Sequence, residues 1–182
     1  MAGGDIAVDN YDETVSIRQV NRSGAVMSAE PLSTDRPLCI VAKFSYSTNP
    51  GYWTPIGVQY QHADKARVDL YCSYAFDSYH GYSGGNANGG YNNVTFSGCC
   101  KPSMGDGSDA TFYFEPEKTR MLLLQHATQK VFVFNGLDVS RPMHLHFATY
   151  SAGNAITLRE PTVAELDAVR SATDFAEADA SK

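Results

Sequence analysis

Leu38-Cys39-Ile40-Val41-Ala42-Lys43-Phe44-Ser45-Tyr46 alternates along its whole length. Leu38, Ile40, Ala42 and Phe44 fall on one side of an extended chain, and Cys39, Val41, Lys43 and Ser45 on the other, because successive side chains of a strand point to opposite faces. Turn formers follow at Ser47-Thr48-Asn49-Pro50-Gly51, each with its own reason to reverse the chain. Upstream, residues 14–20 alternate in the same way, Asn21-Arg22-Ser23-Gly24 reads as a turn, and Ala25-Val26-Met27 opens another short strand. Downstream, strands are expected at 56–61, 68–76, 94–97, 111–114, 120–125, 130–134, 145–150 and 155–158. Turn-rich segments separate them at the spacing of an antiparallel sandwich.

Only the end of the chain reads as helix. Thr162-Val163-Ala164-Glu165 fits a capping box, with Val163, Leu166 and Val169 following on one face,. Sequence beyond Ser171 is expected to fray. The fold class is therefore all-β, a two-sheet antiparallel β-sandwich over residues 14–160. A flexible N-terminus covers 1–13, and a short helix with a frayed tail covers 161–182.

Composition excludes several classes of function. The 182 residues are 43% hydrophobic and 19% charged, enough to build one sizeable core,. The formal charge of −6 argues against a nucleic-acid partner, since binding phosphates requires a positive patch,. No apolar run is long enough to span a membrane. Residues 1–10 carry neither the basic start nor the apolar stretch of a signal peptide, so the expected location is cytoplasmic. Cys39, Cys72, Cys99 and Cys100 then read as reduced thiols,. The sequons at Asn21-Arg22-Ser23 and Asn93-Val94-Thr95 read as chance matches.

Motifs with chemical content are few. Gly81-Tyr82-Ser83-Gly84-Gly85 satisfies the G-x-S-x-G pattern, but that motif works only where a strand turns sharply into a helix. The segment 86–92, rich in Asn and Gly, cannot supply the helix, and residues 77–93 as a whole read as a long loop because so many glycines weaken any element. His144 and His146 share one strand face at a spacing that can serve a metal. His62, His80 and His126 lie elsewhere, so no third ligand is evident. Asp106-Gly107-Ser108-Asp109 lacks the later carboxylates of a calcium loop, and the glycine-rich segment lacks the Lys-Ser/Thr of a phosphate cradle. No catalytic residue, metal or cofactor is expected.

Nine Phe and eleven Tyr stand beside the single Trp53. Most alternate along strands and belong to a core. Tyr52 and Trp53 instead adjoin the Pro50-Gly51 turn, and Tyr79, Tyr82 and Tyr91 sit in the glycine-rich segment. Aromatic residues on polar loops offer large contact area with few torsions to freeze, which suits protein recognition. The expected partner-binding set is Tyr52, Trp53, Tyr79, His80, Tyr82 and Asn86.

Several segments in order resemble one family. Ala25-Val26-Met27-Ser28-Ala29-Glu30-Pro31-Leu32, a long strand, and then Gly51-Tyr52-Trp53-Thr54-Pro55-Ile56-Gly57-Val58 resemble the entry of SPRY and neuralized-homology domains. Gly105-Asp106 resembles the "G-D" that precedes their central hairpin. Ala148-Thr149-Tyr150-Ser151-Ala152-Gly153-Asn154-Ala155-Ile156-Thr157-Leu158 is similar to the last two SPRY strands. The likeness covers roughly residues 14–160. It departs at the hairpin between 120 and 130, where His126-Ala127-Thr128 replaces Asn-Gly. The resemblance implies a bent two-sheet sandwich of the concanavalin-type jelly-roll kind, whose loops bind proteins or peptides.

The leading functional expectation is accordingly a non-catalytic protein–protein interaction module, an adaptor using its edge loops. A structural subunit of a large intracellular assembly is the alternative, and would co-purify stoichiometrically with that assembly. A carbohydrate-binding jelly roll is third, with Tyr52 and Trp53 stacking on a sugar.

Overall fold

The alternating segment is the second strand from the seam of a β-sandwich. The computed structural model describes residues 2–11, 14–45, 54–64, 68, 74–77, 81–84, 95–97, 106–149 and 153–180; at 2–11, 14–23, 77, 81–84, 95–97 and 173–180 the description is of the backbone alone. The strands are β1 (Ala2–Tyr11), β2 (Thr14–Met27), β3 (Leu38–Ser45), β4 (Ile56–Tyr60), β5 (Tyr74–Asp77), β6 (Gly81–Gly84), β7 (Thr95–Ser97), β8 (Asp109–Glu115), β9 (Arg120–Gln125), β10 (Lys130–Asn135), β11 (Met143–Thr149) and β12 (Ala155–Arg159). One helix, α1 (Val163–Ala180), follows.

Every pairing among the described strands is antiparallel. One sheet runs β6-β5-β4-β11 and the other β12-β3-β8-β9-β10, with β7 on the outer edge of β10. Strand β2 belongs to both. Its first half pairs Thr14–Arg18 with β12, and its second half pairs Gly24–Met27 with β11. The expected turn at 21–24 is instead an irregularity within one continuous strand. Opposite it, β1 jumps from Gly4↔Gly24 to Ile6↔Gln19. Extra residues on one strand bend it and strengthen its twist, which carries β2 from one sheet to the other.

The alternation in β3 is borne out. Ala42 and Phe44 are fully buried on the inward face, with Leu38 and Ile40 packed beside them. The same face of β8, β9 and β10 contributes Phe112, Phe114, Met121, Leu123, Phe132 and Phe134. Across the gap stand Ile56, Val58, Tyr60, Tyr74, Phe76, Leu145 and Phe147. Rings from the two sheets meet directly: Phe76 and Phe134 have centroids 5.1 Å apart, and Tyr74 and Phe134 5.6 Å. Both pairs are tilted, the arrangement that ring quadrupoles favour over a face-to-face stack.

Both outer faces are also covered. Helix α1 sets Leu166 and Val169 on Tyr113, Leu122, Leu124 and Val133 of β8–β10. The capping box forms as read, with the Thr162 N–H and hydroxyl donating to Glu165 Oε2 at 2.8 and 2.9 Å, and the Glu165 N–H to Thr162 Oγ1 at 3.3 Å. Val163, expected on the packed face, is 78% exposed. On the other sheet Val68 packs over Ala25 and Ala148. His144, His146 and Gln59 are fully buried on that same outward face. There Gly57 is required: a Cβ would stand 2.0 Å from the Tyr74 carbonyl oxygen and 2.6 Å from Ala75 Cα.

Other differences from the sequence reading concern elements that carry no apolar pattern. Residues 2–11, expected as flexible, pair as β1 with β2. Residues 81–84, expected as part of a long loop, pair as β6 with β5. Helix α1 continues to Ala180 rather than fraying after Ser171, in a stretch whose repeated alanines favour helix.

Candidate interaction surface

The strand registers bring a particular set of chain connections to one end of the sandwich. Ser45 at the end of β3 pairs with Ala155 at the start of β12, and Lys43 with Asp109 at the start of β8. Gln125 pairs with Lys130 across the β9–β10 turn. In the other sheet, Phe147 near the end of β11 pairs with Ile56 at the start of β4, Ile56 with Phe76, and Asp77 with Gly81. The connections β3–β4, β5–β6, β9–β10 and β11–β12 therefore all leave from this end.

Tyr52 and Trp53 belong in sequence to the β3–β4 connection, and Tyr79 and His80 to β5–β6; all four lie outside the described residues. Tyr82 is in β6 at the register position opposite Phe76. Asn86, also outside the described residues, follows Gly84, which pairs with Tyr74 towards the opposite end. Of the nominated set Tyr82 is the described member, and it lies near the start of β6.

Beneath these connections the core ends in a polar layer that the sequence reading missed. Thr54 and Asn154 are fully buried and Thr149 is 3% exposed. Each stands two residues from an inward core residue: Ile56, Ile156 and Phe147 respectively. Among the described residues the Asn154 amide nitrogen and oxygen and the Thr149 hydroxyl have no hydrogen-bond partner, although buried polar groups normally find one. A signal was present. Thr149 continues the Met143, Leu145, Phe147 phase, so a polar residue occupies the inward face at a strand end.

Fixed turns frame the layer. The Gly107 N–H donates to the Phe44 carbonyl at 2.8 Å, and the Phe44 N–H to Ser108 O at 2.9 Å. Gly107 has φ 73°, which its missing Cβ permits,. In the β9–β10 turn the Gln129 N–H donates to Gln125 O at 2.8 Å, and Gln129 takes the left-handed φ of 55°. His126 Nε2 lies 2.8 Å from Thr111 Oγ1. These hydrogen bonds fix the geometry of the two described turns at this end.

The other motifs acquire definite places. Ser83 is the register partner of Ala75 within β6, so the chain runs straight through the point where a nucleophile elbow would turn. The His144 Nδ1–H donates to Ser28 O at 2.9 Å, and its Nε2 has no partner among the described residues. Among the described residues no group of three or more His, Cys, Asp or Glu could hold a metal ion. Cys39 is a free, half-buried thiol; Cys72, Cys99 and Cys100 lie outside the described residues. Also among the described residues, no helix is long and apolar enough to cross a membrane.

Two bent antiparallel sheets sharing a strand, with one short terminal helix, define a SPRY-type β-sandwich. No family model matches the sequence, and no curated protein matches it. Among solved structures the chain is similar to the SPRY domain of human HERC1, at 15% identity and a TM-score of 0.57, over 89% of this chain and 96% of that one. It is also similar to another human SPRY domain, at 16% identity and a TM-score of 0.55, over 86% of this chain and 95% of that one. Stonustoxin matches at 16% identity and a TM-score of 0.50, over 85% of this chain but 26% of its own. At these identities the likeness is one of fold.

Proposed function

We infer that this protein is a non-catalytic interaction module that takes a protein or peptide partner at the loop end of its sandwich. The observation carrying this reading is that the β3–β4, β5–β6 and β11–β12 connections leave from the end where the core closes in a buried polar layer, in which Thr149 and Asn154 find no hydrogen-bond partner among the described residues. An Asn amide offers one donor and one acceptor side, the complement of a peptide bond. Tyr52, Trp53, Tyr79 and His80, which belong in sequence to the β3–β4 and β5–β6 connections, are its proposed anchors. The chain acts as an adaptor, and a fixed structural subunit would differ by remaining in one assembly at constant stoichiometry.

The test combines capture from native cell extract with thermal melting on the same variants. Tyr52→Ala and Tyr79→Ala should cut partner recovery strongly while leaving the melting temperature within a few degrees, since interface anchors are each worth more than ~1 kcal/mol on truncation. Lost stability with normal capture by the folded fraction would remove these residues from the site.

A further inference from the structure

At the opposite end, a groove of about 540 Å³ opens between the 31–37 connection, the start of β3 and the first turns of α1. This is the size range of ligand-binding clefts. Its apolar lining comes from Leu32 and Leu38 on one side and Tyr113 and Leu166 on the other. Cys39 also lines it, and burial pushes its thiol up to about 11, so this surface is neutral at physiological pH. Pro31, Pro37 and Pro161 line it too, and a prolyl nitrogen has no hydrogen to donate. The strong donors are the guanidinium groups of Arg36 and Arg170, both on exposed residues. Arg170 is the foremost charge acting on the Cys39 thiol, which places its field on the hollow itself. Glu160 is the one carboxylate among the lining residues.

In a chain of net charge −6, two arginines against the single glutamate Glu160 leave the lining of this hollow with a positive balance. We propose that this groove is a second docking site, for an extended acidic peptide of a partner protein. An apolar side chain of the peptide fills the space over Tyr113 and Leu166, and a neighbouring Asp or Glu pairs with Arg36 and Arg170. Guanidinium groups bind carboxylates through paired, charge-assisted hydrogen bonds. Glu160 opposes a second carboxylate and so orients the peptide with its acidic side towards the arginines. The groove lies at the other end of the fold from the loop-end site, so the two can be occupied together.

The probe is a display library of short randomised peptides, selected on the wild-type chain and counter-selected on Arg36→Glu. Enriched peptides should carry an apolar residue within two positions of Asp or Glu. Binding of the best one, read by fluorescence anisotropy, should fall at least tenfold in Arg36→Glu and in Arg170→Ala, fall less in Arg36→Lys, and weaken with added salt. Bound peptide should slow alkylation at Cys39 severalfold, read by peptide mapping. Tyr79→Ala should leave this binding unchanged, which separates its failure from that of the loop-end site. Arg36 is exposed, so its variants test the groove even if Arg170→Ala fails to fold. No arginine-dependent enrichment, a neutral or basic consensus, or unaltered Cys39 alkylation would each overturn the proposal.

Discussion

Arg159 grips Glu165 by both carboxylate oxygens, Nη1 to Oε2 at 2.8 Å and Nη2 to Oε1 at 2.6 Å, tying the last strand to the helix that follows it. The Arg159 hydrogen bonds, helped by those from Thr162, hold the Glu165 carboxyl down at about 2, against the opposing effect of burial. A depressed carboxyl pKa contributes stability above the unfolded value of 4.5, and loses it as pH falls towards 2,. Glu165→Gln should therefore melt a few degrees below wild type at neutral pH. The gap should close progressively below pH 4.5, as followed by circular dichroism melts across that range.

Gly57→Ala should be among the most damaging of small substitutions. Its new Cβ would meet backbone atoms of Tyr74 and Ala75 rather than a movable side-chain tip. Strand β5 must shift, and overpacking of this kind costs about 1–3 kcal/mol. A lower urea midpoint with an unchanged slope is the expected result.

Tyr60 is 2% exposed, and its hydroxyl accepts the Asp138 N–H at 2.9 Å while Arg141 lies 4.2 Å over its ring. Tyr60→Phe keeps the ring and strands that N–H, for a loss of about 1 kcal/mol. Burial pushes the phenol up to about 12 from 10. The neutral form is thus favoured in the fold, so its stabilising contribution is present below pH 10 and lost as pH rises towards 12,. Ultraviolet titration should show one tyrosine in wild type, absent from Tyr60→Phe, that ionises late.

Asn154 gives a prediction of unusual sign. Its buried amide has no partner among the described residues, so Asn154→Ala removes no hydrogen bond to them. Stability should stay within about 1 kcal/mol of wild type, the unmade bonds offsetting the small cavity. Partner capture should nonetheless fall. A marked loss of stability with intact capture would make Asn154 a structural group.

Side-chain patterning made most of the sandwich legible. Strand β3 turns the Leu38, Ile40, Ala42 and Phe44 side of an alternating segment to the core, and the capping box at Thr162 and Glu165 marks the helix start. What escaped is held by other forces. β6 and the Gly3-Gly4 end of β1 are fixed by main-chain pairing with a neighbour, which leaves no apolar trace in the sequence,. The bend at 20–23 uses the same residues a turn would use, and only the partners of Gly24 reveal that the strand continues. At the candidate surface, loop aromatics could be nominated by type. That the β3–β4 and β5–β6 connections leave from one end of the fold could not, because it depends on the register of strands far apart in sequence.

The double membership of β2 also governs the order in which this fold can be completed. Thr14 waits for Arg159, and Met27 for His146. During synthesis the seam between the sheets cannot close until β11 and β12 have left the ribosome, so β2 and β3 spend that interval with unpaired edges. Such distant pairings slow folding and expose strands to the wrong neighbours. This molecule should therefore depend on chaperones while it is being made, and shortening it from the C-terminal side past β12 should yield aggregate rather than a smaller sandwich.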